Sequence, residues 1–342
     1  MRILISGVAL LALASVASAQ FVESEPNDTK ATANSINCMT AGSTIRGNST
    51  SGSGAGLDYY DINVCAAPLG IYRHRLVITT NGTAGHTGTI RGVTQVGAPV
   101  DTAAGIPWDG VVGTPGAFTT DSAVQTSSTA TSPARMNQWY GFGKQERFVY
   151  RVSGTSTTTA DYIATMETLP VTAVDIGNYQ PGQIAITTFG QGHTSDTDMW
   201  VYDSGFNAIR GYGNDDEAPN AISGGPGTGA TLQSFFSRMY APGTYYLAIS
   251  NFNLSNNQPS PSDDDFRTGS LLDYPDIVVN TSTTTNVNLT FRITDSSGFT
   301  TQVANTKVGA FDINWFKFTV VPEPTSLALL GLGALGLIRR RR

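Results

Sequence analysis

Histidine, cysteine and lysine are scarce in this chain: 342 residues include three histidines, two cysteines and four lysines. Histidine is the side chain most often used as a general acid or base, so His74, His86 and His193 leave little room for such chemistry. The sequence contains no His-Glu-x-x-His, no Gly-x-Ser-x-Gly and no Gly-x-x-x-x-Gly-Lys-Ser/Thr, which removes the commonest zinc-protease, hydrolase and phosphate-loop signatures. A triad assembled from distant residues, or a carboxylate pair cleaving glycosides, keeps a secreted hydrolase as the remotest alternative. Charge is also low, at 13% of residues. Without Arg2 and the four terminal arginines, 15 basic residues face 26 acidic ones, a balance near −11. Such a surface repels phosphate backbones, and no Lys/Arg stripe overrides it, so nucleic acid is not an expected partner.

Helical periodicity is missing too. Between the two ends, no segment sustains ten residues of it, whereas short runs rich in Val, Ile, Thr and aromatics recur. Examples are "YRHRLVITT", "QERFVYRVS", "ADYIATMETL", "GQIAITTF", "TDMWVYD", "GTYYLAIS", "NVNLTFRIT" and "INWFKFTVV". Gly, Asn, Asp, Ser or Pro clusters separate them, as at Pro242-Gly243, where Pro presets one turn dihedral and Gly accepts a positive one. The expected fold class is all-β, of β-sandwich or jelly-roll type. Two tandem sandwiches are expected at 20–168 and 172–320, joined by Leu169-Pro170-Val171-Thr172; one large sandwich is the alternative. A weak internal echo, "YYDINV" at Tyr59–Val64 and "AFDINWFKF" at Ala310–Phe318, favours two units. The Ser/Thr/Gly-rich stretches Asn48–Gly56 and Thr120–Ser132 have the composition of surface loops.

Both ends are apolar. Residues 1–19 combine basic Arg2, an apolar stretch from Ile3 to Val16 and Ala17-Ser18-Ala19, the pattern of a cleaved secretory signal peptide. At the other end, 321–342, Pro322-Glu323-Pro324 precedes an apolar run that closes on Arg339, Arg340, Arg341 and Arg342. As a helix, Ser326–Ile338 would reach about 20 Å, short of a bilayer core of roughly 30 Å. Length alone favours a buried core helix, but a cluster of unpaired cations enters a core only at high cost, and it suits a cytoplasmic stop. The three-part tail resembles a PEP-CTERM sorting signal. That resemblance implies an exosortase-type processing enzyme as partner, a Gram-negative-type bacterial host that makes exopolysaccharide, and membrane contact only through this segment before processing. An ordinary C-terminal anchor is the alternative.

The body carries a second resemblance. "ESEPNDTKATANSI", "GSTIRGN" and "LDYYDINV" resemble the opening of bacterial pre-peptidase C-terminal (PPC-type) β-sandwich domains, with Glu25, Asn27, Asp28, Thr29 and Ala33, then Asp58, Tyr60 and Ile62, at matching positions. "SDTDMWVYDSGFNAIRGYGNDDE" and "APGTYYLAISNFN" resemble the middle of such domains. Nothing between Thr80 and Pro133 resembles them. The likeness implies binding or spacer modules without catalytic residues of their own.

Three sets of residues are candidate sites. Cys38 and Cys65, in an exported chain, are expected to form a disulfide; two buried thiols or a metal pair are the alternatives. Asp196 and Asp198, with Asn214, Asp215 and Asp216 at the next turn, offer the hard oxygens that calcium takes, and Asp203 closes the same strand. The alternative is that they form Asx-turns and solvated hairpin ends. Asp263-Asp264-Asp265 has the character of a solvated charge run. Trp108, Trp139, Tyr140 and Phe142, near loop signals, are candidate platforms for sugar rings or else core residues. The expected function is non-enzymatic: a secreted surface or extracellular-matrix protein with a structural or adhesive role, transiently membrane-anchored. A calcium-dependent carbohydrate-binding module is the alternative.

Overall fold

Two strands, Met136–Gly141 and Thr197–Tyr202, are buried at every position, whereas Leu57–Val64 alternates half-buried and buried residues. Successive side chains of a strand point to opposite faces, so a strand buried throughout lies in a layer covered on both sides. The computed structural model describes residues 18–49, 56–80, 85–93, 106–108, 111–113, 124–154, 161–215, 232–258 and 274–322. Among these, the only helical element is the short 3-10 turn Lys30–Thr32, capped by the Thr29 side chain. The chain is all-β, as expected.

Among the described residues, four larger sheets make up the body, beside two two-stranded ribbons that pair Val287–Asn288 with Thr306–Lys307 and Ile106–Trp108 with Val111–Gly113. Sheet I orders Asn34–Met39, Leu57–Val64, Arg147–Ser153, Thr87–Arg91 and Gln125–Thr126. Sheet II orders Gln20–Val22, Thr44–Gly47, Tyr162–Val171, Ile71–Thr80, Met136–Gly141, Ile277–Asn280 and Leu254–Ser255. Sheet III orders Val174–Tyr179, Asn314–Val320, Gly243–Asn251, Thr197–Tyr202 and Ala208–Asn214. Sheet IV orders Phe235–Tyr240, Gly182–Thr187, Phe291–Thr294 and Thr300–Val303.

Three cores fix the order of the layers. Ile62, Ile90 and Tyr150 of sheet I pack against Leu76, Trp139, Ala164 and Val279 of sheet II. Met199, Val201, Leu247 and Phe318 of sheet III pack against Ile184, Ile186, Phe236 and Ile293 of sheet IV. Between the two sandwiches, Ile71, Tyr140, Leu254 and Val278 of sheet II meet Trp200, Tyr202, Ala248 and Trp315 of sheet III. Phe142 joins this middle core, with its ring 5.3 Å from that of Tyr202 and stacked at 5.3 Å on Phe206. The period of two carries the whole arrangement: Met199 and Val201 face one core, Trp200 and Tyr202 the other.

The expected connector Leu169–Thr172 is corrected by the pairing. Leu169, Pro170 and Val171 continue the strand Tyr162–Val171, in register with Arg73, Tyr72 and Ile71. Pro170 fits because the other neighbour, Thr44–Gly47, ends its pairing at Thr165, so no ladder hydrogen bond is required on that side. Sheet II also takes Leu254–Ser255 and Ile277–Asn280 from the second half of the sequence. The echoing segments do have equivalent places. Leu57–Val64 and Asn314–Val320 are each second in a five-stranded sheet, flanked by a parallel edge strand and an antiparallel inner strand.

The stretch Thr120–Ser132, expected as a surface loop, is partly interior. Gln125 is fully buried: its Nε2 donates to the carbonyls of Gln138 (2.6 Å) and Asn280 (2.7 Å), and its Oε1 accepts from the Gln138 amide (2.7 Å). A side-chain amide is a peptide group in miniature, so it satisfies strand edges that would otherwise be orphaned inside. Ser49, from the other expected loop, is buried as well and bonds His86 Nδ1 at 2.7 Å. Cys38 and Cys65 are disulfide-bonded, with Cα atoms 4.5 Å apart.

Candidate functional site

The sorting tail begins where sheet III ends. Asn314–Val320 is the last strand, and the Val321 amide still donates to Tyr179 O at 3.0 Å. Pro322 is the last described residue; Glu323, Pro324 and Arg339–Arg342 lie outside the described residues, as do residues 1–17 of the leader. Among the described residues no helix is long and apolar enough to cross a membrane.

Around Thr197–Tyr202, the side chains of Asp198, Asp203 and Asn214 accept hydrogen bonds from backbone amides. Asp198 is fully buried, and its Oδ2 accepts the Leu254 amide at 2.7 Å, which pins a sheet II strand to sheet III. Asn214 Oδ1 accepts the Phe235 amide at 2.8 Å. Asp203 makes an Asx-turn, accepting from the amides of Gly205 (2.8 Å) and Asn207 (2.9 Å). Asp196 is half-buried and Asp215 buried, while Asp216 and Asp263–Asp265 lie outside the described residues. The aromatic platform is corrected: Trp139, Tyr140 and Phe142 are all buried, because they belong to or adjoin an inner strand. Trp108's side chain lies outside the described ones.

A different acidic group gathers at the start of the body. Glu23, Glu25 and Asp58 each bring a carboxylate oxygen within 4.8 Å of the others, and among the described residues no other group of three acidic, histidine or cysteine side chains does so. The Glu23 amide donates to Arg46 O (3.0 Å), continuing the Gln20–Val22 pairing, and the Tyr59 amide donates to Asn27 O (2.9 Å). These two bonds hold the segment Glu23–Asp28 between the strand Thr44–Gly47 and the start of the strand Leu57–Val64. Asp58 points inward with Tyr60 and Ile62 and has no exposure. Its Oδ2 accepts the Tyr162 hydroxyl at 2.7 Å, and that hydroxyl lies 2.5 Å from the Tyr60 hydroxyl. Its Oδ1, like Glu23 Oε2, Asn27 Oδ1 and Asp28 Oδ1, is buried without an N–H donor, and the Asp58 and Glu23 carboxyls hydrogen-bond each other, which also raises Asp58. A methyl group at Gly47 would overlap both Glu23 Oε2 and the Tyr162 hydroxyl, so only glycine leaves the site open.

Burial pushes the Asp58 carboxyl up to about 8, and the charges of Glu23 and Glu25 push the same way against the Tyr162 hydrogen bond. Among the described residues no lysine or arginine forms an ion pair with these three carboxylates. Crowded carboxylate and amide oxygens without a counter-ion, from buried Asp58 and Asn27, half-buried Glu23 and exposed Glu25, are the kind of donors that calcium takes, and a bound divalent ion reverses the local penalty on ionisation. Sequence reading missed this group as a site. Glu-x-Glu-x-Asn-Asp within six residues was the available signal, but Asp58 joins only through tertiary pairing.

The three histidines are engaged within the fold. His74 is buried against Trp139, with rings 5.2 Å apart; its Nδ1 meets Thr168 Oγ1 at 2.9 Å, and its Nε2 lies 3.2 Å from Glu146. His86 holds Ser49, and His193 bonds Thr290 O at 2.9 Å and the Ser195 amide at 3.2 Å.

Comparison with known families places residues 320–342 in the PEP-CTERM protein-sorting motif. The chain is thus an exported, envelope-associated protein whose tail is a signal for exosortase processing. No curated protein matches the chain.

Proposed function

We propose that this is a non-enzymatic structural or adhesive protein of the bacterial cell surface or extracellular polysaccharide matrix. The sorting motif at 320–342 carries the reading, because it gives the body an address outside the cell. The acidic, low-charge composition, the engaged histidines and the resemblance of the body to PPC-type domains support a binding or spacer role over catalysis. Intact-mass analysis and cell fractionation of the protein from an exosortase-bearing host test it. Loss of residues 1–19 and of the C-terminal segment, with retention at the surface or in the matrix, is expected. Mature protein that still carries Arg342, or turnover of polysaccharide by the purified protein, would overturn it.

A second reading concerns calcium, and the Glu23–Glu25–Asp58 group favours it over the Asp196–Asp198 set. Calcium there would fasten the opening segment to sheet I and make the fold, and any carbohydrate binding by it, dependent on extracellular calcium. Calorimetric titration of chelator-treated protein should show one binding event, lost in Asp58→Asn. A flat titration would reject the site.

A further inference from the structure

Lys307 is one of four lysines in the chain, and none of it is exposed. Its Nζ donates to Asn251 Oδ1 at 2.7 Å and to Ser282 O at 2.9 Å. No carboxylate stands within ion-pair distance of it among the described residues. An ammonium group in that setting loses its hydration without gaining a counter-charge, which favours the neutral amine. Burial draws the group down to about 8, against the attraction of Asp312. The group therefore has a neutral fraction near neutral pH that an ordinary lysine lacks, and the neutral amine is the nucleophile.

Its neighbour Asn251 is held in place by three hydrogen bonds. Asn251 ends the strand Gly243–Asn251, its carbonyl accepts Asn280 Nδ2 at 2.6 Å, and its own Nδ2 donates to Ser282 Oγ at 2.6 Å. Ser282 therefore grips both partners, the lysine through its carbonyl and the asparagine through its hydroxyl. The amide carbon lies only about 1.23 Å beyond the oxygen that Nζ already touches.

We propose that Lys307 and Asn251 form an intramolecular isopeptide bond. The neutral Nζ adds to Asn251 Cγ, and the adduct collapses by breaking the Cγ–Nδ2 bond. One Nζ proton is transferred to Nδ2, which leaves as ammonia, so no oxidant, reductant or cofactor is required. Ser282 lies against both nitrogens between which the proton moves, its carbonyl accepting from Nζ at 2.9 Å and its hydroxyl from Asn251 Nδ2 at 2.6 Å. The bond would tie sheet III to the strand Thr306–Lys307, in the half of the chain that has no cysteine, just before the strand from which the sorting tail departs.

Tandem mass spectrometry of a reduced proteolytic digest of the full-length protein tests this. A branched peptide containing Lys307 and Asn251, lighter than the sum of the two linear peptides by one ammonia, is expected. After denaturation Lys307 should resist chemical acetylation while the other lysines react. Intact mass is not the readout, because an N-terminal Gln20 produced by leader removal also loses ammonia on cyclising. Lys307→Arg and Asn251→Ala should each abolish the branched peptide and lower the melting temperature. If either variant fails to fold, the wild-type digest alone decides. Separate linear peptides, with Lys307 fully acetylated in the unfolded protein, would overturn the proposal.

Discussion

Trp139 and Tyr140 are neighbours in one strand, yet they belong to different cores. Trp139 packs between sheets I and II, tilted at 4.6 Å against Phe148, while Tyr140 faces sheet III, 6.1 Å from Trp315. Sheet II is therefore shared, and the two sandwiches have no solvent layer at this point.

That sharing makes unfolding cooperative across the halves. Trp315→Ala removes the largest sheet III side chain facing Tyr140 and Phe142 and is expected to cost about 3–5 kcal/mol. Urea melts of the wild type followed by circular dichroism and by tryptophan fluorescence should coincide. Separate transitions in the wild type would show that the middle core does not couple the halves.

Asp58 sets a pH dependence whose sign can be worked out. Its carboxyl rises from about 3.8 to about 8 on folding, so the folded state holds a proton that the unfolded chain releases. The corresponding stability is fully present below pH 3.8 and is lost as pH climbs to about 8. Calcium-free protein should therefore melt lower at pH 8 than at pH 5, by thermal scans in chelator. Calcium should restore stability most at the alkaline end, by roughly 2.7 kcal/mol at a hundredfold excess over Kd. Asp58→Asn should flatten both responses.

Asp198→Ala should behave differently from a ligand mutation. Losing the acceptor for the Leu254 amide leaves a buried donor unsatisfied, at a cost of about 1–3 kcal/mol. The loss in melting temperature should be the same with calcium and with EDTA. A loss seen only in calcium would return Asp198 to the metal site.

The bond between Cys38 and Cys65, 27 residues apart, should appear as one linked peptide pair in a non-reducing digest. Reduction should lower stability by about 3–4 kcal/mol on the loop-closure account. Rapid labelling of both thiols in native protein would contradict the pairing.

Local chemistry determined much of this protein before any packing was considered. Strands follow from β-branched and aromatic runs broken by Gly, Pro and Asn, and the sorting tail from Pro322 through Arg342 is a linear signal recognisable without a fold. The cysteine pairing also followed, since two cysteines in an exported chain leave only one intramolecular disulfide. Layer order did not follow. "MNQWYG" buried on both faces carries the same residue types as a half-exposed strand, and only the stacking of sheet II on sheet III makes Tyr140 and Phe142 interior. The acidic residues show the same division. Asp198 and Asp58 both precede aromatic-rich strand positions, but what an aspartate does depends on which atoms face it after pairing: a Leu254 amide for one, and Glu23 and Glu25 for the other. Period-two patterning specifies which residues share a face; long-range register, which closes loops at an entropic cost invisible in local sequence, decides what that face meets.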